Sequence, residues 1–332
     1  VTYPPSGQPH GEQNPGGWPH QPGPPQGPAG YGQGYGQTVC TWHPDRATAL
    51  SCSRCGRPAC PECLSPASVG FHCRACVAES QATQRVARTV SGARAGVEPF
   101  VTYILIAINV IVFLIVSIQA GSADNPSRSA LWIDGALIPG AVSDGDYYRM
   151  VTAGFLHGGL IHVGLNMLSL YFLGPTLERI LGRTRFAVVY LISLLGSSVS
   201  VLLLSSPTVP TIGASGAIFG LLGALAVTFK RMNYDLRQLA VLIVINLVIT
   251  FRVDGISWQA HLGGLVVGAI VGAAMVYPSR ENRMKVQVAA CAAVLVVLAG
   301  VTVYKADKIV PYTCQYVSSE KATFCGPPEV FR

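Results

Sequence analysis

The residues best suited to chemistry in this sequence are a serine and three histidines set in apolar surroundings. Ser215 lies in Thr211-Ile212-Gly213-Ala214-Ser215-Gly216-Ala217-Ile218-Phe219-Gly220, just after the Pro210 that ends a polar break. It opens an apolar run that continues to about Phe229. Small neighbours leave its hydroxyl open to approach. The backbone N–H groups at a helix N-terminus are unsatisfied and point at whatever binds there. A serine so placed could be a nucleophile with an oxyanion site beside it. Taken alone, the pattern suits helix packing equally well, because small residues four apart recur where membrane helices touch.

The histidines change that balance. His157, His162 and Asn166 fall in the apolar run near 155–177, and His162 and Asn166, four apart, share one helix face. A later run holds Ala260-His261-Leu262-Gly263-Gly264, then Gly268 and Gly272. Its glycines allow a close helix neighbour. Polar side chains inside membrane spans are expensive and tend to be functional. Ser215, His261, His162 and Asn166 all fall at shallow depth toward the same end of their runs. Ser215 can then act as nucleophile and His261 as the base that takes its proton. His162, Asn166 and the Ser215 N–H can donate to an oxyanion. A triad needs an acid to orient the histidine, and no run carries Asp or Glu in its interior. A Ser215–His261 dyad is therefore expected, with His261 oriented by packing and Phe219, one turn after Ser215, stacked on its ring.

These residues require a membrane scaffold. The 332 residues are 50% hydrophobic and 12% charged, with the apolar residues in long runs. Seven runs suit bilayer spans: roughly 100–119, 155–177, 186–206, 213–229, 236–251, 256–277 and 286–304. Arg179, Arg183 and Arg185, then Lys230, Arg231 and Arg237, then Arg280, Arg283 and Lys285 mark alternate loops as cytoplasmic. The expectation is an integral protein of a plasma (inner) membrane, N-terminus cytoplasmic and C-terminus exoplasmic, with no cleavable signal peptide. The 120–150 loop carries apolar and aromatic residues and is expected to lie in the interface or to pack on the helix ends. The net charge of +7 includes no basic cluster interleaved with aromatics, so nucleic acid is not expected as a partner.

Ten cysteines form unlike groups. Cys40-x-x-His43, Cys52-x-x-Cys55, Cys60-x-x-Cys63 and Cys73-x-x-Cys76 are four ligand pairs, enough for two tetrahedral Zn²⁺ ions. A reducing cytoplasm favours metal over disulfides there. Cys314 and Cys325 fall on the oxidising side, where a disulfide can persist. The expected organisation is a disordered Pro/Gly/Gln-rich tail at 1–38, a cytoplasmic zinc module at 39–78 and a linker at 79–98. A six-helix core at 99–279 follows, then a seventh helix and exoplasmic tail at 280–332.

Two resemblances follow from these motifs. The order of ligand pairs is similar to a B-box or related cross-brace zinc finger. That implies one ion shared by the first and third pairs and another by the second and fourth, with His72 as an alternative to Cys73. Such a module implies a cytoplasmic protein partner or a stabilising role. Gly213-Ala214-Ser215-Gly216 resembles the GxSG motif of rhomboid intramembrane serine proteases. Ala260-His261-Leu262-Gly263-Gly264 with Gly268 resembles their AHxGGxxxG helix, and His157, His162 and Asn166 their HxxxxHxxxN pattern. Glu178, Gly182, Arg185 and Phe186 look like the segment that follows. Tyr148-Arg149 stands where the family often has Trp-Arg, and Phe219 where Tyr is common. The resemblance implies an all-α polytopic fold with a six-helix rhomboid core plus a C-terminal helix. It implies cofactor-free cleavage of transmembrane segments of substrate proteins near the exoplasmic face, with His157, Gly213, Phe219, Gly263 and Gly264 supporting the site. The competing reading is a catalytically inactive, derlin-like adaptor that binds membrane helices. A proton-relay transporter lacks its carboxylate here, and neither a His-Glu-x-x-His site nor a pair of intramembrane aspartates is present.

Overall fold

A computed structural model describes residues 38–83, 87–96, 98–253, 255–311, 313–317 and 322–326. The tail expected to be disordered, 1–38, lies outside the described residues except for Thr38. The chain forms two compact units, Val1–Gln84 and Arg85–Arg332.

The first unit is built from short pieces. β1 (Val39–Cys40) pairs antiparallel with β2 (His43–Ala47), and β3 (Leu64–Pro66) with β4 (Phe71–Cys73). α1 (Arg74–Thr83) follows. Its buried apolar residues are Ala59 and six cysteines, with Trp42 and Leu64 packed against both cysteine groups. A unit this small cannot bury enough apolar surface to hold itself together, so its stability must come from cross-links or a metal.

The second unit begins with a tight turn over 88–94, bridged between Arg88 and Arg94. Ser91 within it is fully buried and donates to the carbonyls of Ile180 and Leu181 at 2.8 and 3.2 Å. α2 (Phe100–Ala120) ends at Gly121 in the left-handed region, φ +67°. The segment that follows is fixed rather than open. It contains α3 (Ala130–Gly135), α4 (Pro139–Ser143) and α5 (Arg149–Thr152). The Arg149 guanidinium, 2% exposed, ties them by donating to the carbonyls of Ile133 and Ala136 and to Asp146. Ile133, Leu137, Ile138, Ala141 and Val142 point inward, while Leu131, Tyr147 and Tyr148 stay exposed.

Six long helices complete the unit: α6 (Leu160–Leu181), α7 (Arg183–Leu204), α8 (Ser215–Arg231), α9 (Arg237–Arg252), α10 (Trp258–Val276) and α11 (Arg283–Ala306). A hairpin of β5 (Thr313–Val317) and β6 (Ala322–Gly326) ends it, with Cys314 opposite Cys325 in the ladder. Each expected apolar run carries a long helix, with one difference. The run expected from 155 becomes helical only at Leu160, because Gly158 and Gly159 break it and Gly159 takes φ +151°. Among the described residues, five helices are long and apolar enough to cross a membrane: α2, α6, α7, α10 and α11. α8 and α9, with 17 and 16 residues, are shorter.

α7, α8 and α10 form the packed centre. α9 buries only Leu239 and Thr250, and α11 only Gln287, Thr302 and Ala306. Glu178 is fully buried near the far end of α6, where it accepts from the N–H groups of Val101 and Thr102 and from the Thr102 hydroxyl. It caps the free donors at the start of α2.

Candidate active site

The site is made by how closely α8 and α10 approach. A Cβ added to Gly264 would collide with the Gly216 carbonyl, one at Gly268 with Gly220, and one at Gly272 with Ala224. Backbone thus lies on backbone along the whole contact, as small residues permit between membrane helices. Gly263 turns to the other side and meets Ser200 and the Gly196 carbonyl of α7. Ser215, the first residue of α8, and His261, in the first turn of α10, are carried into register by this packing. His261 Nε2 lies 2.8 Å from Ser215 Oγ. Phe219 stacks on the imidazole as expected, with ring centroids 4.1 Å apart and planes 14° apart.

The second ring nitrogen of His261 departs from the expectation that packing alone orients the imidazole. His261 Nδ1 lies 2.7 Å from the Thr250 hydroxyl, which also lies 2.7 Å from the Asn246 carbonyl one turn back on α9. Sequence reasoning did not single out Thr250. The available signal was a hydroxyl in an apolar helix, next in the chain to the histidine helix.

His162 and Asn166 line the same cavity as Ser215. Gly213 sits at φ +118°, a conformation that favours glycine, and a Cβ there would lie 2.7 Å from His162 Nε2. His162 Nε2 is therefore beside the nucleophile. The Gly158 N–H approaches His162 Nδ1 at 3.3 Å. That contact assigns the ring proton to Nε2, the nitrogen facing Gly213. Asn166, 6% exposed, lines the same cavity. His157 does not join the helix. It lies in the turn before α6, 1% exposed, with its ring edge-on to His162 at 5.1 Å. Neither of its ring nitrogens has a hydrogen-bond partner among the described residues. It supports His162 rather than facing Ser215.

The segment leading into Ser215 is pinned by the 120–155 region. Leu137 and Thr211 exchange backbone hydrogen bonds of 3.1 and 2.9 Å, and the Gly213 N–H donates to the Ala153 carbonyl at 2.9 Å. A cavity of about 920 Å³ opens above the dyad. Its walls include Leu165, Leu168 and Phe172 of α6 and Leu242 and Ile249 of α9. An apolar chain segment fits such walls, with polar groups only at the reacting centre.

The first unit holds two ligand clusters in the cross-brace order. Cys40, His43, Cys60 and Cys63 form one, and Cys52, Cys55, Cys73 and Cys76 the other, with the ligand atoms of each within 4.8 Å of one another. His72 is not among them, because alternation along β4 turns it away from the face of Cys73. His43 Nδ1 lies 3.8, 3.3 and 3.3 Å from the sulfurs of Cys40, Cys60 and Cys63, and the Cys55 and Cys73 sulfurs are 3.7 Å apart. A tetrahedral cation with bonds of about 2.0–2.3 Å imposes edges of about 3.3–3.8 Å, so both sites fit a metal. Burial first, and neighbouring cysteines with it, push the Cys63 thiol up to about 11 and the Cys76 thiol up to about 12. A cation reverses that preference by binding thiolate.

Comparison with known proteins bears on both fold and chemistry. A family model described as "Rhomboid domain" matches residues 144–278. Rhomboid protease GluP of Bacillus subtilis (strain 168) is 34% identical over 186 residues, 54% of this chain and 36% of GluP. RHOMBOID-like protein 5 of Arabidopsis thaliana is 38% identical over 157 residues, 44% of this chain and 50% of that protein. The Bacillus protein YdcA, also named for the rhomboid proteases, is 31% identical over 181 residues, 52% of this chain and 86% of YdcA. The chain thus spans about a third of GluP, half of RHOMBOID-like protein 5 and most of YdcA. The matched regions include Ser215, His261, His162 and Asn166 within residues 144–278.

Proposed function

The chain belongs to the rhomboid family, and from that premise we propose that it is an intramembrane serine endopeptidase working through Ser215 and His261. It is an integral membrane protein. The observation that carries the proposal is the 2.8 Å contact between His261 Nε2 and Ser215 Oγ at the floor of an apolar cavity. His261 takes the Ser215 proton as the oxygen attacks a substrate carbonyl. His162 Nε2–H, the Asn166 amide and the Ser215 N–H donate to the oxyanion that forms. The proton then passes from His261 to the leaving amine, and water releases the acyl group by the reverse sequence. The apolar walls between α6 and α9 suit a transmembrane segment of another protein.

Basic residues Arg183, Lys230, Arg231, Arg237, Arg283 and Lys285 lie at the helix ends opposite Ser215. This supports an N-terminus in the cytoplasm and cleavage near the exoplasmic face of a plasma membrane. Catalysis needs no cofactor in this reading. The first unit binds two Zn²⁺ ions, since three thiols with a histidine and four thiols suit structural zinc. With every metal position filled by protein, it serves as a partner-binding or stabilising module in the cytoplasm.

The test is labelling by a fluorophosphonate probe alongside cleavage of a model transmembrane substrate. Wild type reacts and cleaves; folded Ser215→Ala and His261→Ala do neither. Cleavage by folded Ser215→Ala at the wild-type rate and site would leave the derlin-like adaptor as the better description.

A further inference from the structure

We propose that Thr250 is a positioning residue that fixes the proton-accepting tautomer of His261. The inference rests on the Ser215–His261 reading given above. A neutral imidazole can act as base toward Ser215 only if its proton sits on Nδ1 and its lone pair on Nε2. Something must hold the proton there. In soluble triads a carboxylate does so, and the described residues place no carboxylate at His261 Nδ1.

The Thr250 hydroxyl has one hydrogen to give. At 2.7 Å from the Asn246 carbonyl, one turn back on the same helix, that hydrogen is used in the ordinary back-bond of a helical threonine. The oxygen is left with lone pairs only, and it lies 2.7 Å from His261 Nδ1. It therefore accepts the Nδ1–H, and Nε2 is the free acceptor 2.8 Å from Ser215 Oγ. The chain of bonds runs from Ser215 to His261 to Thr250 to the Asn246 carbonyl, and the back-bond of the Thr250 hydroxyl sets the direction of the other two. Thr250 is 3% exposed and is one of two buried residues on α9. An otherwise outward-facing helix thus sends its one buried hydroxyl to the base. A neutral acceptor cannot stabilise the imidazolium as an anion does, so its contribution is orientation.

The experiment uses the full chain in proteoliposomes, reacted with a fluorophosphonate probe, so that maximal rate and half-saturating concentration separate. Thr250→Val keeps the shape and removes the acceptor. Its maximal labelling rate should fall about 10–100-fold, well short of the ~10⁴ seen when a charged orienting group is lost. The half-saturating concentration and thermal midpoint should stay at wild-type values. Thr250→Ser should restore the rate. If the valine variant does not fold, Thr250→Ala is read against Thr250→Ser in the same way. Ring ¹⁵N spectra of His261 should show the proton on Nδ1 in wild type and Thr250→Ser, and a mixture of tautomers in Thr250→Val. Wild-type labelling by folded Thr250→Val, failure of Thr250→Ser to rescue it, or a wild-type proton on Nε2 would each overturn the proposal. A folded wild type that does not label at all overturns the dyad reading itself, and so is told apart from a failure of Thr250 alone.

Discussion

His261 Nε2 lies 2.8 Å from Ser215 Oγ, and in the proposed mechanism it takes the serine proton while His162 and Asn166, which line the same cavity, meet the oxyanion. The two proposed side-chain donors are held differently. His162 is held by the Gly158 N–H and by the edge of His157, whereas Asn166 is ordered mainly by its helix. One oxyanion donor is worth about 10²–10³ in rate in soluble serine proteases. Asn166→Ala should lose less than that in cleavage of a model substrate, because His162 and the Ser215 N–H remain. Gly213→Ala should do more harm without touching a donor. A methyl group there meets His162 Nε2 at 2.7 Å, and the backbone at φ +118° disfavours a side chain by about 1–3 kcal/mol. The expected result is a folded protein with cleavage reduced more than tenfold; wild-type cleavage by Gly213→Ala would mean that His162 has room to move and is not a fixed donor. Serine, histidines and asparagine were legible in the sequence because polar groups inside apolar runs stand out. Thr250 was not, since a threonine satisfied by its own helix looks like any other. The exclusion of His157 from the helix depended on Gly158 and Gly159, whose apolar neighbours disguised the break.

The helices reach this geometry through contact between α8 and α10, and the glycine spacing that allows it was visible as Gly216, Gly220, Gly264, Gly268 and Gly272. Which glycine faces which partner was not, because rotation about each helix axis is set only by packing. Gly264→Ala should force α10 off α8 at the carbonyl adjoining Ser215. Overpacking of this kind costs about 1–3 kcal/mol, and the shift should also abolish probe labelling. Gly300→Ala on α11 is the control: nothing lies within 4 Å of its Cβ, so stability should hold or rise. Equal effects of the two variants would show that the tight contact does not set the dyad. In the first unit, even spacing disclosed the four ligand pairs, and strand alternation chose Cys73 over His72. Two Zn²⁺ per chain are expected by metal analysis, with release by chelator unfolding residues 40–76. A chain starting at Arg85 should still react with the probe, because Ser91 and its turn, which close the end of α6, remain. Metal content near zero in protein with all seven cysteines reduced would refute the zinc assignment.

At the scale of the whole molecule the short length of α8 would set the depth of the proposed chemistry. Seventeen residues rise about 25 Å, while a hydrocarbon core is about 30 Å thick. In the proposed orientation, with Lys230 and Arg231 at the cytoplasmic headgroups, Ser215 would come to rest about 5 Å beneath the opposite surface. The 120–155 region covers it there, its apolar residues turned inward and Leu131, Tyr147 and Tyr148 outward. In the proposed orientation α11 would cross the membrane again and deliver the β5–β6 hairpin to the exoplasmic side. Composition alone made the membrane class and the long helices legible; the order within the 120–155 region was not, because Arg149 acts through backbone carbonyls that no sequence pattern marks. Cys314 stands opposite Cys325 in the hairpin ladder, so a disulfide closing residues 315–324 into a loop is expected. Closing a loop of that length should stabilise the hairpin by about 2–3 kcal/mol. In intact cells a membrane-impermeant maleimide should reach neither cysteine until an impermeant reductant is added, and then both. Labelling before reduction would remove the disulfide, and labelling only after permeabilisation would place the hairpin in the cytoplasm and reverse the side on which Ser215 opens.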